Sequence, residues 1–100
     1  MVLVREIFFC KPGKVRALVD TFKAVDQLSK KSGLTSYARL MTDVSAERYW
    51  TVVMEFEAKS LGEFEEEMKK AMGSKELGEA MKDYHELVDH GRREIYALES

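Results

Sequence analysis

The stretch from Glu47 to Glu57, ERYWTVVMEFE, limits what this chain can fold into more than any other. Its β-branched and aromatic residues read as a strand whose side chains alternate between two faces. Trp50, Val52, Met54 and Phe56 point one way, and Tyr49, Thr51, Val53, Glu55 and Glu57 the other. Both sets include groups large enough to need cover. A chain of 100 residues is read as one domain, 1–100, whose own helices can shelter one face of a sheet. The second face calls for a partner.

The other elements follow in order. Residues 2–10, VLVREIFFC, form a first strand, apolar on both faces and ended by Lys11-Pro12-Gly13-Lys14. From about Lys14 to Lys31, Val15, Leu18, Val19, Phe22 and Val25 recur at helical spacing. Asp20, Lys23, Asp26, Lys30 and Lys31 populate the polar side, and Gly33 supplies the left-handed cap. Residues 34–42 make a more polar second strand, suited to an edge, which turns through 43–46 into the strand described first. Ser60 and Glu63 have capping-box spacing and open a helix striped with Leu61, Phe64, Met68 and Met72. Gly73-Ser74 interrupts it, and Ser74 caps a second segment with Leu77, Ala80, Met81, Tyr84 and Val88 on one face. Gly91 is expected to end that segment, before a last strand over 92–98.

The order β-α-β-β-α-(α)-β, with right-handed crossovers around a hairpin, predicts an α+β fold. It is a ferredoxin-like four-stranded antiparallel sheet in order 4-1-3-2 with helices on one face. A two-fold dimer joined through the sheets would bury the other face. A net charge of -2, with basic residues scattered, argues against nucleic acid as a partner. No apolar run reaches the roughly 18 residues of a membrane span, and the opening MVLVRE lacks the features of a signal peptide. A cytoplasmic protein without a membrane partner is expected. The single cysteine, Cys10, allows no internal disulfide and no cysteine cluster for a metal, and reads as a small buried hydrophobe.

Three stretches carry a resemblance: VREIFF followed by KPGK, the YWTVV strand, and the closing HGRREIY. Together they resemble the dimeric α/β-barrel superfamily, close to its antibiotic-biosynthesis-monooxygenase-like and NIPSNAP-like members. The resemblance implies a homodimer whose two sheets form a barrel. It also implies a ligand pocket within each monomer, between helices and sheet. Activities in the superfamily range over cofactor-free oxygenases, haem degraders and small isomerases, so fold alone does not choose a function. A small-molecule-binding homodimer, in the monooxygenase-like manner and without cofactor, is the leading expectation. The alternatives are a haem-binding protein through His85 and a non-catalytic dimerisation or stress-associated module.

Candidate pocket residues are Trp50, His85, Tyr37, Tyr84 and Arg39. His85, at the flank of the buried stripe, can ligate iron or shuttle a proton, or simply keep its polar edge in water. Haem-degrading relatives pair a helix histidine with an asparagine and a tryptophan; this chain has His85 and Trp50 but no asparagine. His90 reads as a partner for the last helix carbonyls. Trp50 reads more readily as core or interface than as catalytic machinery, and the four tyrosines, Tyr37, Tyr49, Tyr84 and Tyr96, sit where pattern alone explains them. Arg5, Arg39, Glu55, Arg93 and Glu94 are charges on strands expected to be covered on both faces. They must pair across strands, unless one arginine holds an anionic ligand. A small aromatic or anionic ligand is therefore the expected class.

Overall fold

A computed structural model describes residues 1–34 and 36–100. The elements are β1 (Val2–Cys10), α1 (Val15–Lys31), β2 (Arg39–Thr42), β3 (Thr51–Ala58), α2 (Leu61–Met72), α3 (Lys75–Ala80), α4 (Tyr84–Leu87) and β4 (Val88–Ala97). The strands form one antiparallel sheet in the order β2-β3-β1-β4. This is the ferredoxin-like α+β arrangement, with the two longest pairings on either side of β1.

The local signals behave as their chemistry requires. Ser60 Oγ accepts from the Glu63 amide at 3.1 Å and Ser74 Oγ from the Leu77 amide at 3.3 Å, so both serines cap helices. Gly33 follows α1 with φ +71°, the left-handed conformation expected of it. On the helix side of the sheet, Val52 of β3 joins Leu18, Val19 and Phe22 of α1 in one buried cluster. Val4, Phe56 and Ala58 join Phe64 of α2 in a second. The rings of Phe8 and Phe22 lie 4.8 Å apart, and those of Phe56 and Phe64 6.0 Å.

Four expectations are corrected. The second strand is short, Arg39–Thr42 rather than 34–42; Thr35 lies outside the described residues. The third begins at Thr51, not Glu47. Trp50 takes φ +64°, so alternation fails just before the strand. Its carbonyl still accepts from the Cys10 amide at 2.8 Å, which fixes the end of the β1–β3 ladder. The ring stays 44% exposed instead of joining Val52, Met54 and Phe56. Finally, the segment after Ser74 is not one helix. It breaks into α3 and the single turn α4, and β4 starts at Val88.

Gly91 therefore lies inside β4, opposite Phe8, rather than at a helix end. A Cβ there would stand 2.9 Å from the Ile7 carbonyl oxygen, so close backbone approach, not a helix cap, is what the glycine serves. The register shift between Phe9 and Cys10 leaves Asp89 as the extra residue of a bulge.

The face away from the helices is less bare than the sequence implies. The segment before β3 folds over its β1 end, with the Arg48 guanidinium 4.7 Å from the centre of the Phe9 ring. Ile7 and Phe9 are buried as a result. Met41 and Tyr96, further out on the same face, remain exposed.

Candidate functional site

A cavity of about 410 Å³ lies between α1, α2, α3 and the sheet. Its size falls within the roughly 300–1,000 Å³ of small-molecule sites. Four methionines, Met54, Met68, Met72 and Met81, supply much of the wall. Met54 comes from β3, which turns it toward the helices, while Met68 and Met72 continue the α2 stripe one turn apart. Phe22, Phe56 and Leu77 add apolar surface. Largely exposed Met72 stands at the rim. Unbranched thioethers adapt to the shape of a guest and make favourable contacts with aromatic rings. Gly78 of α3 also lines the cavity, and a Cβ built there meets nothing within 4 Å.

Three polar residues interrupt this apolar wall: Asp26, Ser29 and Tyr37. Asp26 was expected on the polar side of α1, yet it is 7% exposed. It lies four residues after Phe22 and three before buried Ser29, so helical geometry carries it onto the margin of the buried stripe. The signal was present in that spacing, but the residue type pointed outward. Asp26 Oδ2 meets the Lys30 ammonium at 3.1 Å. Oδ1 is buried and has no hydrogen-bond partner among the described residues. Burial, and then the negative charge of Asp26, hold the Tyr37 phenol above its ordinary value against an opposing effect of Lys30. Tyr37 thus stays protonated and can donate a hydrogen bond at neutral pH.

Of the five candidate pocket residues, Tyr37 alone lines this cavity. Tyr84 is half-buried against the core, its ring 5.9 Å from that of Phe8, and burial, then Glu6 and Cys10, raise its phenol. His85 is exposed, with its ring 5.3 Å from that of Tyr84. Trp50 lies before β3, and Arg39 is on the opposite face of the sheet. The residues do not fit a haem site: His85 does not line the cavity and Trp50 is not beside it. Cys10 is buried, and burial, then Asp43, push its thiol up, which favours the protonated form.

The strand charges form a ladder across the open face. Arg39 of β2, Glu55 of β3, Arg5 of β1 and Glu94 of β4 occupy one row of the register. Glu55, 3% exposed, accepts from Arg39 Nε at 2.7 Å and Arg5 Nε at 2.9 Å. Burial alone would raise its pKa. The two arginines outweigh that and lower it. Glu94 takes Arg92 Nε at 3.1 Å and the Tyr96 hydroxyl at 2.8 Å. Arg93 belongs to the other face, paired with Glu6 and 5.3 Å from the Phe64 ring centre. All five strand charges named from sequence therefore have partners within the sheet. Beside the ladder, a shallower depression of about 320 Å³ is bordered by Arg5, Arg48, Arg92, Glu47 and Glu94. Arg5 and Arg92 there pair with Glu55 and Glu94, while Arg48 Nη1 lies 2.8 Å from His90 Nε2.

No protein-family model matches the sequence, and no curated protein matches it significantly. Solved structures do. A NIPSNAP domain protein from Burkholderia xenovorans superposes with TM-score 0.85 at 10% identity, over 100% of this chain and 96% of its own. A NIPSNAP family protein from Agrobacterium tumefaciens gives 0.82 at 14%, over 96% and 86%. A Nitrosomonas europaea protein that carries the antibiotic biosynthesis monooxygenase name gives 0.72 at 11%, over 100% of both chains. At these identities the likeness is one of fold, and it is the fold that the sequence resemblance implied.

Proposed function

With the fold of NIPSNAP-domain and monooxygenase-named proteins as premise, we propose that this protein binds a small, mainly apolar molecule in the cavity between its helices and sheet. The cavity itself carries the reading: about 410 Å³ walled by thioether, aliphatic and aromatic groups, with a few polar groups at one place.

The filling variant Gly78→Phe tests this. A side chain there grows into open space, and replacing a helical glycine favours α3. The neutral dye prodan should bind the natural protein with a blue-shifted emission and lose that binding in Gly78→Phe. Equal binding by both proteins, or no binding by the natural one, would refute the proposal. Whether a bound molecule is also oxidised, as the monooxygenase-like reading holds, is tested by oxygen uptake with that molecule present. Tyr37, Asp26 and Ser29 are the polar groups beside it.

We further propose that the protein works as a homodimer joined through the open face of the sheet. Exposed Met41 and Tyr96 on that face support this. Shelter of Ile7 and Phe9 by the chain's own 43–50 segment makes the demand for cover smaller than the sequence implies. Sedimentation velocity at micromolar concentration should give twice the chain's 11.5 kDa mass. A compact single copy would overturn it.

A further inference from the structure

Among the described residues, one buried polar atom of the cavity wall has no hydrogen-bond partner, Asp26 Oδ1. Buried polar groups nearly always have hydrogen-bond partners, and each exception needs a cause. Asp26 is more than nine-tenths buried on the cavity wall, its Oδ2 held by Lys30 and its Oδ1 holding nothing among the described residues. A carboxylate is an acceptor on both oxygens, so only a donor can satisfy it. Oδ1 is closed off from solvent. Rotation about the soft χ2 of aspartate, together with adjustment of the unbranched methionines, can bring it to a guest.

We propose that Asp26 sets what the cavity accepts: an apolar molecule that ends in a hydrogen-bond donor, either a hydroxyl or an ammonium group. This rests on the cavity reading above. The apolar body packs among Met54, Met68, Met81 and Phe22, and the donor end meets Oδ1. Molecules that end in a carboxylate are rejected, because two like charges would meet in a poorly solvated place. Molecules with only an acceptor at that end leave the aspartate unsatisfied and gain nothing from it. Tyr37, kept protonated beside the same carboxylate, can serve as a donor to the guest's own oxygen.

A matched probe series reads this out. 3-Phenylpropan-1-ol and 3-phenylpropylamine carry donors; the methyl ether of the same alcohol and propylbenzene do not. Calorimetry or ligand-observed NMR on the full protein should show at least one donor probe binding about tenfold or more tightly than the ether, the scale of a hydrogen bond to a charged acceptor. A comparison of alcohol with amine then tells which donor is preferred. Asp26→Leu should level the series while propylbenzene still binds. Asp26→Asn, which keeps the shape, should remove the preference of donor over ether, since an amide can donate as well as accept. Equal binding of all four probes to the natural protein would overturn the role of Asp26 and leave the cavity reading standing. So would a donor preference that survives both substitutions. Failure of all four probes to bind the natural protein would overturn both.

Discussion

Replacing Glu55 by glutamine tests the account of the open face most directly. The substitution keeps the shape of the side chain and removes its charge. In the natural protein Glu55 is 3% exposed and accepts from Arg5 at 2.9 Å and Arg39 at 2.7 Å. A hydrogen bond involving a charged group contributes about 1.5–3 kcal/mol when both partners are enclosed. Here the arginines are 37% and 61% exposed, so solvent recovers part of what they lose. The amide also retains one weaker contact. A net loss of about 1–2 kcal/mol follows, which in a domain of this size lowers Tm by about 5–12 °C. Glu55 has a lowered folded pKa, so its contribution is complete above the ordinary carboxylate value of about 4.3. It is lost as the pH falls through the lower, folded value. The two proteins should thus differ in Tm at pH 7 and converge in strong acid. Thermal unfolding by circular dichroism at one fixed protein concentration measures this, and holding concentration constant removes any effect of association. An unchanged Tm at pH 7, or a difference that persists undiminished at pH 2, would refute the reasoning.

Other perturbations have definite directions. Gly91→Ala forces β4 away from the Ile7 carbonyl and should destabilise by about 1–3 kcal/mol in urea unfolding. Gly62→Ala, whose Cβ meets only Ser60 Oγ at 3.9 Å, should be neutral or stabilising in the same assay. Phe64→Ala removes a ring 2% exposed between α2 and the sheet, and should cost about 3–5 kcal/mol. Ser60→Ala removes the cap on the Glu63 amide and should cost about 1 kcal/mol, with early loss of amide protection at the start of α2 by hydrogen exchange.

Much of this architecture could be read from the residues, and the boundary between what could and could not has a physical basis. Helical spacing from Val15 to Val25, the two serine caps and the left-handed Gly33 depend on contacts within a few residues. The chain specifies them locally. The β-α-β-β-α-β order then limits the topology to very few arrangements, and the pairing of the strand charges follows from the cost of leaving them alone in a sheet.

What tertiary structure decided lies at margins. Trp50 leaves its expected face because the ladder to Cys10 requires its carbonyl there, at a backbone angle alternation does not foresee. Gly91 becomes a strand residue because β1 draws β4 in from Val88 onward. Asp26 reads as a surface charge by type and as a wall residue by angle. Only the arrival of α2, α3 and β3 beside α1 encloses it. Sequence by itself determines which way each side chain turns about its own element. Whether that direction ends in water, in protein or in a cavity depends on segments distant along the chain, whose approach no local periodicity records.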